Sequence, residues 1–111
     1  MAQEKIFENK IKKFLDELDN CWYFKYWGGG MSKAGIPDII ASVGGHFVGI
    51  EVKASNGRPS PLQLRNVKLI NDNKGFAVIV YPHQFDDLKL MLKYLSEGNT
   101  GFPRQIILEK F

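Results

Sequence analysis

Pro37-Asp38 and Glu51-Val52-Lys53 are the residues of this chain whose types and spacing could do chemistry. Between them lie two apolar, β-branched runs, Ile39 to Val43 and His46 to Ala54, joined by Gly44-Gly45. That is the pattern of a β-hairpin with a two-residue loop. With the two glycines as the loop, Asp38 falls opposite Glu51, where paired Cβ atoms sit roughly 4.5–5.5 Å apart and like charges repel. Lys53 points to the same face, about 6.6 Å further on at ~3.3 Å per residue. Ile39, Ala41, Val48, Ile50 and Val52 take the other face, ready to pack on a helix.

Two carboxylates and an ammonium on one thinly charged face call for a cation between the acids. A hard divalent ion, magnesium with manganese as a substitute, is the natural occupant: it keeps several waters and accepts phosphate oxygens. Asp38 and Glu51 are the candidate ligands, and the backbone carbonyl of Val52 could add another oxygen. Such an ion lowers the pKa of a water and neutralises charge developing on phosphorus. Lys53 can hold the attacking water or act as a fixed positive charge in the transition state. The set reads as a site for phosphodiester hydrolysis without a covalent intermediate.

The flanking elements must position these groups. Residues 4–19 have helical periodicity, with Phe7, Ile11, Phe14, Leu15 and Leu18 on one stripe and Lys5, Lys10, Lys12 and Lys13 mostly on the other side. Glu8 lies along the edge of that stripe, with Glu4 one turn earlier on the same line; a solvated helix acid is the plainer account of either. Cys21 to Trp27 is aromatic-rich and predicts a strand. Gly28-Gly29-Gly30 and Met31 to Gly35 then form a loop beside Asp38, where Lys25, Ser32 and Lys33 are candidates to meet phosphates. Arg58 and Arg65 are two further basic candidates for DNA contact.

Ser60-Pro61-Leu62-Gln63 is a helix start, with Ser60 at the cap and Pro61 at the first helical position. Gln63 has two readings here: the reciprocal partner of a capping box, or, since it aligns with Val67 and Ile70, an amide aimed at the sheet. Gly75 is the expected C-terminal cap of that helix. Phe76 to Tyr81 predicts a strand buried on both faces and reached by a helical crossover. Phe85, Leu88, Met91, Leu92 and Leu95 mark a third helix, which Gly98 stops. Arg104 to Phe111 is expected to be an edge strand or a segment docking on a second copy.

The sequence has 111 residues, 44% hydrophobic and 24% charged, and carries a net charge of +3. This predicts one globular domain over residues 1–111 and excludes a disordered chain. No apolar run is long enough for a membrane helix, and the first residues do not form a signal peptide. The single cysteine, Cys21, excludes an internal disulfide and a thiolate metal site. The expected compartment is a reducing cytoplasm, bacterial or that of a phage-infected host. The glycine-rich loop lacks the Lys-Ser/Thr of a phosphate-binding loop, so no nucleotide cofactor is expected, and His46 and His83 are given no metal role.

Pro37-Asp38 followed by Glu51-Val52-Lys53 resembles the PD-(D/E)xK nuclease signature. The wider set comprises Phe7-Glu8, Lys25 to Gly30, Lys33 to Asp38, Ile50 to Ala54, Gly57-Arg58-Pro59-Ser60 and Gln63. Together these resemble the VRR-NUC branch, the virus-type replication-repair nucleases, in its small stand-alone form. The resemblance spans about residues 4–95. It implies an α/β fold with a restriction-endonuclease-like α-β-β-β-α-β-α core and a mixed central sheet. It also implies metal binding by Asp38 and Glu51 and a catalytic Lys53. Glu8 matches the helix acid, a further candidate ligand through a water, and Gln63 matches the motif glutamine. The expected activity is that of a homodimeric, structure-selective endonuclease on branched double-stranded DNA, a Holliday-junction resolvase, since a two-fold dimer suits a four-way junction. A flap or single-strand-end nuclease and a non-catalytic branched-DNA-binding module are the alternatives. A restriction-type enzyme would need a base-reading module for which the chain has no room.

Overall fold

The computed structural model describes residues 2–28, 33–98 and 104–111, apart from the side chains of Gln105 and Ile106. Helix α1 spans Ala2–Glu17 and buries Phe7, Glu8, Ile11 and Leu15. It starts and ends two residues earlier than its periodicity predicts, because the chain turns at Leu18 and Asn20 takes a left-handed φ of 54°. Strands β1 (Cys21–Lys25), β2 (Ile39–Val43) and β3 (His46–Val52) follow, then helix α2 (Pro61–Asp72) and strand β4 (Phe76–Val80). After one 3-10 turn at Pro82–Gln84 come α3 (Phe85–Ser96) and α4 (Arg104–Leu108). Among these residues no helix is long and apolar enough to cross a membrane.

The protein is thus α/β, with a four-stranded mixed sheet in the order β1-β2-β3-β4. β1–β2 and β2–β3 are antiparallel, whereas β3 and β4 are parallel and joined through α2. Helices α1 and α3 cover one face. There Phe7, Ile11 and Leu15 meet Leu88, Leu92 and Leu95 over the inward residues of all the central strands, and the Phe7 and Phe85 rings touch edge to face at 5.7 Å. Helix α2 lies on the opposite face and has no fully buried residue, so it shields only part of that face.

Two expectations need correction. Gly75 does not take the left-handed position that ends α2; Lys74 does, with φ 75°. The N–H groups of Gly75 and Lys74 donate to the carbonyls of Ile70 and Asn71 at 2.9 and 3.2 Å, a Schellman ending displaced by one residue. Arg104–Leu108 is a short helix, followed by a turn, in place of the edge strand expected over 104–111. Arg104, Ile107, Leu108 and Phe111 recur at helical spacing: Ile107 is buried, Leu108 and Phe111 pack on the core, and the Arg104 guanidinium donates to the Lys74 and Gly75 carbonyls.

The hairpin register is the one the Gly44-Gly45 loop demands, with Ile39 paired to Ile50 and Val43 to His46. Both glycines have positive φ, 57° and 87°, as a type I′ turn requires. Gly44 meets a second constraint, since a Cβ there would lie 1.9 Å from the Leu95 carbonyl oxygen, whereas one at Gly45 would meet nothing within 4 Å. Gly45→Ala should therefore cost only the left-handed penalty of about 1–2 kcal/mol in urea unfolding, and Gly44→Ala clearly more. Equal losses would show that α3 does not press on the turn.

Candidate active site

Asp38 immediately precedes β2, and Glu51 lies near the end of β3, so both acids sit at one end of the sheet. The observed register, extended one pair beyond Ile39–Ile50, sets them opposite each other on the face that α2 covers. Asp38 Oδ2 accepts a hydrogen bond of 2.8 Å from the Val52 N–H. In an extended strand a residue's carbonyl leaves on the same side as its N–H. The Val52 carbonyl is therefore directed to the side where the Asp38 carboxylate sits, while the next N–H, that of Lys53, turns the other way to the Val80 carbonyl.

Gln63 resolves its two readings by satisfying both. Ser60 accepts from the Gln63 N–H at 3.1 Å, and Gln63 Oε1 accepts from the Ser60 N–H at 2.9 Å, closing a capping box. The same Oε1 accepts from Lys53 Nζ at 2.9 Å, and Gln63 Nε2 donates to Glu51 Oε2 at 2.9 Å. Lys53 Nζ also lies 3.2 Å from Glu51 Oε2. One carboxylate oxygen of Glu51 thus has two donors, which fixes the group's rotation. Its other oxygen, Oε1, is buried and has no hydrogen-bond partner.

An acceptor left unsatisfied in a residue 2% exposed is costly. Burial, reinforced by the charge of Asp38, pushes the Glu51 carboxyl up to about 7 against the pull of Lys53. A dry carboxylate with one clamped oxygen, one orphaned oxygen, a second acid beside it and a backbone carbonyl nearby is a donor set for a hard divalent cation. Among the described residues no three His, Cys, Asp or Glu groups gather as a metal cluster. A magnesium ion that keeps most of its waters needs only one or two carboxylates.

Glu8 enters from the other face. It is 4% exposed, and its carboxylate meets Lys25 at 2.8 Å, Lys12 at 3.2 Å and Lys5 at 3.7 Å. Burial would raise its pKa, but the hydrogen bonds and charges of Lys25 and Lys12 together hold it below the ordinary value. Lys25 Nζ also reaches Asp38 Oδ1 at 3.5 Å. The link from Glu8 to the central acids therefore runs through Lys25 around the strand end, and of the two helix acids it is Glu8, not the half-buried Glu4, that makes it. Lys25 points inward at two acids. The other DNA-contact candidates, Lys33, Arg58 and Arg65, are exposed, and Ser32 lies outside the described residues. The Tyr81 hydroxyl donates to the Gly57 carbonyl at 2.9 Å, and a Cβ on Gly57 would lie 3.4 Å from the Lys53 stem, so the turn bearing Arg58 runs beside Lys53.

Reading the residues in isolation overlooks Lys12, although its place one helical turn after Glu8 is the spacing at which such pairs form. It also overlooks Trp27, which lies 5.5 Å from Lys25 Nζ and 5.9 Å from Lys5 Nζ. A concavity of about 700 Å³ beside α2, lined by Phe24, Ile40, Phe47 and Leu69, contains no acid and is separate in character from this constellation. Compared with models of known protein families and with curated proteins, the chain matches none.

The raised Glu51 pKa makes stability depend on pH in a defined direction. The folded protein holds a proton that the unfolded chain, with its ordinary value of 4.5, releases. This contribution is complete below 4.5 and is lost as pH rises through about 7. In chelator, thermal midpoints of the wild type should fall across that window relative to those of Glu51→Gln. Parallel pH profiles for the two proteins would contradict the burial of an ionisable carboxyl at this position.

Proposed function

We propose that this protein is a divalent-metal-dependent DNA endonuclease of the PD-(D/E)xK type, resembling the VRR-NUC branch, and that as a homodimer it resolves four-way junctions. The observation that supports this most is the rotationally clamped Glu51, whose Oε1 is buried without a partner and whose carboxyl feels the charge of Asp38. Asp38, Glu51 and the Val52 carbonyl would hold the ion, with Glu8 one step behind through Lys25. Magnesium, or manganese in its place, would neutralise charge developing at phosphorus and acidify the attacking water.

The chain's own groups supply the rest. Lys53 spends contacts on Gln63 and Glu51, and its ammonium has three protons. One remains for an attacking water or a non-bridging phosphate oxygen, at a position set by two rigid elements. Gln63 keeps that ammonium and the Glu51 carboxylate in register with each other. The exposed Lys33, Arg58 and Arg65 are suited to phosphates away from the cut, a salt-sensitive contact that carries no sequence information. A two-fold dimer would present two such sites to the symmetric strands of a junction.

Labelled four-way junction, flap and linear duplex, each incubated with magnesium and with chelator, test this. Paired symmetric nicks in the junction, dependent on the metal, are expected; preferential flap trimming would replace junction resolution with end processing. Binding without any cutting would leave a DNA-binding module. Asp38→Asn retains an acceptor for the Val52 N–H yet should abolish cutting. Lys53→Ala should lower it by about 10²–10³-fold, with junction binding and the circular-dichroism spectrum little changed. Wild-type rates in either variant would remove these residues from the chemistry. Sedimentation should give the mass of a dimer.

A further inference from the structure

Trp27 is 72% exposed, and no other large apolar side chain among the described residues is more open to solvent. A single exposed aromatic is unremarkable by itself; its surroundings distinguish this one. Trp27 follows β1 at the end of the sheet where the acids lie, and its ring is 5.5 Å from the same Lys25 ammonium that sits 3.5 Å from Asp38 Oδ1. Lys5 Nζ flanks it at 5.9 Å. One ammonium group therefore spans the gap between the indole and an acid of the candidate site. Trp22, 67% exposed and engaged with the Phe24 ring at 5.7 Å, has comparable exposure but lies back along β1, near the opposite end of the strand.

A flat aromatic face with cations beside it, next to a phosphodiester-cleaving centre, has the two parts that single-stranded nucleic acid requires. The exposed Lys5 is placed to take the backbone, Lys25 being held between Glu8 and Asp38, and the ring takes the base. Continuous duplex cannot use such a ring, because its bases are already stacked on their neighbours. We propose that Trp27 stacks on a base adjoining the scissile phosphate that has lost a stacking neighbour, so that the site selects DNA strands whose bases are unstacked at the cut. This rests on the nuclease reading for the nearby phosphate, but base stacking can be measured without any cleavage.

Trp22→Phe leaves Trp27 as the sole indole, and its fluorescence can be titrated in chelator with a mixed-sequence single strand, a four-way junction and a blunt duplex. Quenching by the first two and little by the duplex is expected. Trp27→Ala should weaken binding of the single strand and the junction by about 5- to 100-fold, leave duplex binding unchanged, and be largely rescued by Trp27→Phe. Equal quenching by all three ligands, no quenching, or an equal loss for duplex and unpaired strands would overturn the assignment. So would a drop in molecular mass on Trp27→Ala, which would make the ring a contact between copies. Magnesium-dependent cutting by the wild type is assayed in parallel. A protein that cuts but shows none of the Trp27 effects refutes this inference alone, and one that stacks bases but never cuts refutes the nuclease reading alone.

Discussion

Two acids brought together where water is scarce are the constraint on which the rest of this molecule depends. Left alone, neighbouring carboxylates at a dry strand end would protonate or push the strands apart. Each neighbouring element answers that difficulty. The hairpin turn fixes which residues face each other, α2 supplies an amide that grips one oxygen, and α1 brings an acid whose lysine reaches around to Asp38. The positive charges are held in place by partners on separate elements, Gln63 and Glu51 for Lys53, Glu8 and Asp38 for Lys25.

The two faces of the sheet divide this work. On the α2 side, Glu51, Lys53 and Gln63 form a compact triad in which every contact is short and one oxygen is left over. On the α1 side, Glu8 is surrounded by Lys5, Lys12 and Lys25, and of these three Lys25 reaches the centre. The helix that carries Gln63 begins with the same side chain's capping contacts. The first turn of α2 and the orientation of the Glu51 carboxylate therefore share one side chain.

The central elements were legible because their signals are local. The β-branched runs, the paired glycines and the Ser-Pro-x-Gln start each specify a short stretch of backbone, and the period-two alternation assigns Asp38, Glu51 and Lys53 to one face. What escaped sequence reasoning depends on distance in space. Nothing near Lys25 in the chain says that its ammonium will turn inward, since both its partners come from other elements. Arg104 to Phe111 reads as a strand by composition, yet its i, i+3, i+4, i+7 spacing held the helical answer, and Arg104 finds its carbonyls on a remote helix end. The Gln63 alternatives could not be separated by sequence because both operate at once.

The tight bend at Gly44-Gly45, pressed beneath the end of α3, also governs which insertions and deletions the molecule can survive. Adding or losing one residue within β2 or β3 inverts the parity of that arm, turning an acid into the oily layer under α1 and α3 and an isoleucine or valine out toward α2. A change of two within one strand keeps the sides but slides one acid a full pleat past the other, and a longer turn would meet Leu95, which already lies against Gly44. The two arms between these acids and the bend must therefore match each other in length, like the legs of a pair of compasses.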